Sequence, residues 1–152
     1  METKLPLEPE TLDRRLKLDS GVGFLARVLA GHATSVYEQI TGQTDITPQQ
    51  FGVLLVLHQQ GTITLTELTQ STRADRSTVG EMVSRMRGRG LVERTPGEED
   101  RRQSLVSITE KGREILLDLL PHMPALQDNL LAPIPPEDRR LFLHHLRMIV
   151  NG

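Results

Sequence analysis

Apolar positions recur at helical spacing in several separate stretches of the chain. From about Leu18 to Ile40 the stripe Val22, Leu25, Leu29, His32, Val36, Ile40 advances three or four residues per step, as one face of an α-helix requires. Gly42 follows as a stop. Thr47-Pro48-Gln49-Gln50 then joins an N-cap threonine, a proline suited to the first helical position and a glutamine that completes a capping box. The helix it opens carries Phe51, Leu54, Leu55 and Leu57 and runs to near Gln60-Gly61. A second capping box, Thr64-Leu65-Thr66-Glu67, starts a short helix through Leu68 to about Ser71. Asp75 caps a third, with apolar positions Val79, Met82, Val83 and Met86, and Gly90 stops it in the left-handed conformation beside the apolar Leu91. Two compact helices joined tightly, the second amphipathic, make a helix-turn-helix.

Beyond Gly90 the period changes. Leu91-Val92-Glu93-Arg94 reads as a short strand, Thr95 to Asp100 is turn-rich and charged, and Gln103 to Ile108 carries Val106 and Ile108 on alternate positions. This predicts a β-hairpin with a long polar tip. Thr109 caps a further helix with Ile115, Leu116, Leu119 and Leu120, and Pro135-Pro136-Glu137-Asp138 opens the last, which carries Phe142, Leu146, Ile149 and Val150. No repeat, low-complexity tract or linker interrupts the pattern, so one domain over 1–152 is expected. The fold class is mainly α with a small β-hairpin.

Composition narrows the chemistry. Only 3% of residues are aromatic against 37% apolar, so the core must be built from Leu, Val, Ile, Ala and Met. There is no apolar run long enough to cross a bilayer, and the first residues are charged rather than signal-like, which predicts a cytoplasmic protein without a membrane partner. The absence of cysteine excludes a disulfide framework, a thiolate zinc site and thiol sensing. His144 and His145 are adjacent and point about 100° apart on a helix, a poor chelating pair, so no metal is expected. No catalytic triad, cysteine–histidine pair or phosphate-binding glycine loop is present; neither an enzyme nor a cofactor is predicted.

The net charge of −2 hides an uneven distribution. Five arginines (73, 76, 85, 87 and 89) face only Asp75 and Glu81 between Arg73 and Arg89, a local balance of +3 on an otherwise acidic chain. With the apolar side of the Asp75–Arg89 helix against the core, Ser77, Glu81, Ser84 and Gly88 point outward, with Thr78 and Arg85 at the flank. Short polar side chains beside guanidinium groups suit entry into a DNA major groove, and Arg73 and Arg76 add charge nearby. An ordinary solvated face would look similar. At the hairpin tip, Asp100, Arg101 and Arg102 would as an isolated run be a solvated loop. After a helix-turn-helix they place a guanidinium where it reaches a narrow minor groove.

The motifs Thr47-Pro-Gln-Gln-Phe-Gly-Val-Leu, Asp75-Arg-Ser-Thr-Val, Gly90-Leu-Val-Glu-Arg, Asp100-Arg-Arg and Val106-Ser-Ile-Thr-Glu-Lys-Gly112 follow one another in order. Together they resemble the multiple antibiotic resistance regulator (MarR) family from Thr47 to Gly112. The resemblance implies a winged helix-turn-helix over about 43–108, with dimerisation helices over about 8–42 and 109–152. It implies a homodimer on double-stranded DNA, a recognition helix at Asp75–Arg89 and a wing at Thr95–Gln103. It also implies that Arg102 enters the minor groove, oriented by Asp100. Pro121 and Pro124 depart from the family's long helix here, since interior proline breaks or bends a helix.

Family members commonly leave DNA when a small molecule, often an aromatic acid, binds. The candidates for that contact are Arg27, His32, Phe51 and Leu55. A buried Arg27 would need an anionic partner, a ligand carboxylate or, the more favoured alternative, an intersubunit carboxylate, and His32 is more readily a core or interface residue. Core packing explains Phe51 and Leu55 as well. The function expected is a ligand-responsive repressor on a pseudo-palindromic operator; the alternative is a winged-helix protein-interaction module that does not bind DNA.

Overall fold

The computed structural model describes residues 17–42, 44–97 and 103–152. The chain separates into two units, 1–35 and 36–152. In the first, the helix begins at Val22, the first residue of the apolar stripe, rather than at about Leu18. Leu18–Ser20 is a short 3-10 turn, and α1 runs Val22–Thr41, crossing into the second unit. The described residues show nothing of 8–16, the start of the expected helical arm.

In the second unit the two capping boxes set the helix starts. Thr47 Oγ1 accepts from the Gln50 amide at 3.2 Å while Gln50 Oε1 accepts from the Thr47 amide at 3.1 Å, opening α2 (Pro48–Gln60). Thr64 and Glu67 repeat the exchange at 3.1 and 2.7 Å, opening α3 (Leu65–Thr72). Each box satisfies two of the amides that a helix start leaves without a partner. Asp75 caps α4 (Arg76–Gly88) by accepting from the Thr78 amide at 2.9 Å. The end of α4 is a Schellman motif: the Leu91 amide donates to Met86 O and the Gly90 amide to Arg87 O, with Gly90 at φ +73°. Leu91 is buried directly after it.

Strand β2 (Val92–Pro96) extends two residues further than its alternation suggests and pairs antiparallel with β3 (Ser104–Ile108), Val92 opposite Ile108 and Pro96 opposite Ser104. A strand absent from the sequence reading, β1 (Ile63–Thr64), adds to the other edge of β3, giving a three-stranded sheet of order β1-β3-β2. Leu54, Leu57, Leu68, Val79, Val83, Met86, Leu91, Val106 and Leu116 pack into one core under this sheet.

Thr109 caps α5 (Glu110–Leu119), accepting from the Gly112 amide at 3.0 Å. The two prolines then find positions that tolerate them. Pro121 starts a 3-10 turn, Leu120–His122, and Pro124 lies in the first turn of α6 (Met123–Leu131), where the missing amide has no helical acceptor. The backbone stays right-handed across the junction, with Leu120 at φ −54°, ψ −41° and Met123 at φ −66°, ψ −36°. The last helix, α7 (Pro136–Asn151), buries no residue in this chain.

Candidate nucleic-acid interface

The inward side of α4 is closed: Val79, Val83 and Met86 are each 0% exposed. Their burial fixes the helix's rotation and leaves Ser77, Thr78, Glu81, Ser84, Arg85 and Gly88 exposed on the other side. The predicted outward face is therefore solvent-facing in this chain. Two serines and a glycine leave room for close approach, and Arg85 reaches beside them. Arg85 Nη2 lies 3.6 Å from Glu81 Oε2 with both side chains about 70% exposed, an ion pair that solvent weakens.

The start of α4 is held from two sides. Asp75 accepts from the Thr78 hydroxyl and from its amide, in that order of effect, which keeps its carboxyl below the usual carboxylate range. Arg76 Nη1 donates to Thr66 Oγ1 at 2.8 Å, tying the first residue of α4 to the first turn of α3. Around that bond lies a polar cleft of about 420 Å³ whose walls include Thr66, Gln70, Arg76, Gln103 and Ser104. Thr66 and Gln70 were not among the sequence candidates. The capping box that places Thr66 in the first helical turn was the available signal.

Arg73 stands apart from the outward face. It ends α3 in the left-handed conformation, φ +53°, and its guanidinium donates to Val150 O in the last turn of α7 at 3.2 Å. Arg73 is exposed, and in this chain the turn directs its side chain toward α7 rather than along the outward face that carries Ser77, Ser84 and Arg85. In the hairpin, Arg94 Nη2 donates to Ser104 Oγ at 2.9 Å across β2 and β3. The candidates Asp100, Arg101 and Arg102 lie outside the described residues.

Of the effector candidates, Arg27 and His32 belong to the first unit and are exposed. The Arg27 guanidinium lies 5.2 Å from the centre of the Phe24 ring, a cation–π distance. The argument that a buried Arg27 demands an anion does not hold in this chain, because α1 leaves its side chain in solvent. In the second unit, Phe51 lies 6.3 Å from the Tyr37 ring. Leu55 lines an apolar cleft of about 360 Å³ between α2 and the start of α4, together with Pro48, Gly52, Val56, Thr78 and Met82. A cleft with Thr78 and Met82 in its wall touches α4 directly.

Among the described residues there is no cluster of three or more histidines and carboxylates suited to a metal, and no helix is long and apolar enough to cross a membrane. The model for the MarR family matches residues 46–104. The transcriptional repressor NicR of Pseudomonas putida is 28% identical over 131 residues, which cover 86% of this chain and 83% of that protein. The structure of Bordetella bronchiseptica BpsR, described for regulation of its DNA binding by 6-hydroxynicotinic acid, superposes with a TM-score of 0.83 at 25% identity, covering 90% of this chain and 98% of that one. The repressor CouR bound to a 23-mer DNA duplex superposes with a TM-score of 0.77 at 26% identity, covering 89% and 98%.

Proposed function

This chain belongs to the MarR family of winged helix-turn-helix transcriptional regulators, and from that premise we propose a repressor that binds a pseudo-palindromic duplex as a homodimer and leaves it when a small molecule binds. The observation that carries the reading is the two-sided character of α4: one side sealed in the core, the other exposed with Ser77, Ser84 and Arg85. In this reading Ser77, Thr78, Ser84 and Arg85 meet base edges and phosphates in the major groove, and Arg76 contacts phosphate beside Thr66. Arg102 reaches the adjacent minor groove, with Asp100 orienting the fork, and Arg101 contacts DNA from the same wing. The duplex bound by CouR and the ligand regulation of BpsR support the same assignment.

The effector belongs to the aromatic-acid class, as 6-hydroxynicotinic acid does for BpsR. Leu55 supplies apolar contact in the cleft beside α4, where a bound ring displaces Thr78 and Met82 and so rotates the reading face. The protein works without catalysis and in the cytoplasm. The protein-interaction alternative has no comparable support, since it gives the exposed basic side of α4 no task.

Titrating labelled genomic duplexes at several salt concentrations tests the proposal. Log affinity should fall linearly with log salt, by roughly 0.9 for each phosphate neutralised. Affinity independent of salt, or equal for every duplex, overturns it.

A further inference from the structure

Arg73 is, among the described residues, the one non-glycine residue with positive φ. Such a backbone is unfavourable for a side chain with a Cβ, and helix ends that need it ordinarily use glycine or asparagine. Here the turn carries an arginine whose guanidinium spans to Val150 O, 77 positions away in sequence. Among the described residues this is the hydrogen bond that ties α7 to the chain before residue 134. The acceptor is well matched to the donor: carbonyls of a last helical turn lack intrahelical partners and carry the negative end of the helix dipole.

The near end of the bond lies close to the reading head. The Arg73 amide closes α3 on Gln70 O at 3.3 Å, and Asp75, two residues on, caps α4. Arg76 then fastens α4 back to Thr66 of α3 at 2.8 Å. A displacement at Arg73 therefore has no slack segment in which to dissipate before it reaches the start of α4.

From this geometry we infer that Arg73 is a positioning residue: it latches the C-terminal end of α7 to the turn that presents the recognition helix, so that a shift of α7 re-aims that helix. The role differs from contact with DNA, although it rests on the DNA-binding reading for its consequence. It assigns the turn a mechanical link between the terminal helix and the reading head.

The test uses Arg73→Gly, which suits the left-handed turn and removes the guanidinium, with Arg73→Lys as the variant that keeps a cationic donor. In the DNA-free protein, amide exchange at Thr78 and Val79 should quicken several-fold in Arg73→Gly and return toward the parent rate in Arg73→Lys, while the melting temperature stays level or rises. On duplex, Arg73→Gly should bind several-fold more weakly with an unchanged slope of log affinity against log salt, because no phosphate contact is lost. Exchange at Thr78 and Val79 equal to the parent overturns the latch, whatever the DNA result. A slope smaller by about one with parental exchange identifies Arg73 as a phosphate contact instead. Because exchange is measured without DNA, failure of the latch and failure of the DNA-binding reading are separately visible.

Discussion

Replacing Gly112 by alanine should destabilise the protein although it improves helix propensity. Gly112 is buried in the first turn of α5, and a Cβ placed there would overlap the carbonyl oxygen of Leu91 and approach Ile108 Cγ1 to 3.0 Å and the Leu91 carbonyl carbon to 3.1 Å. The obstructing oxygen is backbone, and it is already engaged, accepting from the Thr109 amide at 3.1 Å. Relief requires α5 to move off the strand root rather than a side chain to turn. Overpacking of this kind costs about 1–3 kcal/mol, and the absence of a flexible neighbour places Gly112 at the upper end. The gain from leaving glycine in a helix is about 1 kcal/mol, so the net loss is about 2 kcal/mol. For a chain of this size that lowers the melting temperature by roughly 4–8 °C. Gly80, inside α4 with nothing within 4 Å of the same added atom, is the control. Gly80→Ala keeps only the propensity gain and should melt roughly 2–4 °C higher. Circular dichroism melts at one fixed protein concentration read both, which matters because association shifts apparent stability. A Gly112→Ala protein that melts at or above the parent, beside a Gly80→Ala protein that behaves as expected, refutes the close-approach argument.

Tyr37 is 2% exposed and its hydroxyl has no hydrogen-bond partner, a burial that also raises its pKa. Tyr37→Phe should therefore raise stability by about 1 kcal/mol, visible as a higher denaturant midpoint at unchanged slope; a loss of that size would mean that the hydroxyl is satisfied after all. The hydrogen bonds from Thr78 to Asp75 and from Thr64 to Glu67 lower both carboxyl pKa values, so their contribution is complete above the unfolded-state value near 4 and is lost as pH falls through the folded one. Melting temperature should be insensitive to these groups from pH 7 to 5 and fall below about pH 4. Asp75→Asn, which still caps, should flatten part of that acid limb; an identical acid limb in both proteins would contradict the assignment. Glu81→Gln should tighten duplex binding by removing a competing anion from Arg85, while leaving stability within about 0.5 kcal/mol because the pair is exposed. Weaker binding by Glu81→Gln would show that the carboxylate itself reads a base.

What the sequence disclosed follows the range of the interaction concerned. Both capping boxes, the Asp75 cap and the Gly90 stop are settled within five residues, and each is where the pattern placed it. The inward side of α4 was legible because Val79, Val83 and Met86 repeat at helical spacing. Strand β1 was not, since two residues have no period and Ile63 finds its partner at Val106, far along the chain. The contact between Arg73 and α7 was hidden for the same reason. The local context of Arg73 is a basic stripe, and only the fold brings Val150 to it. The prolines conflict with a helix interior in the sequence, whereas the 3-10 turn at Leu120–His122 puts each of them in the first positions of its element.

The terminal helices show where periodicity and burial part company. In α7, Leu141, Met148, Ile149 and Val150 are 53 to 64% exposed, and in α1 Val22 and Leu25 are 50% or more exposed. A helix selected only for the stability of its own chain has no use for such residues in water. The core under the three-stranded sheet does not need them either, because it closes through Leu54, Leu68, Val83, Met86 and Leu116, each 0% exposed. Fully covering one large aliphatic side chain is worth about 1.5–3 kcal/mol, so completing the burial of the four exposed residues of α7 gives roughly half that for each, or about 3–6 kcal/mol per chain and twice as much for a symmetric pair. The total for the pair, about 6–12 kcal/mol, lies within the 4–15 kcal/mol or so that association costs in lost freedom. Those four residues alone bring a dimer near balance, and any further apolar face it covers, such as that of α1, tips it toward association. The pairing of two reading heads that a pseudo-palindromic duplex demands is thus encoded in side chains that their own chain leaves more than half exposed.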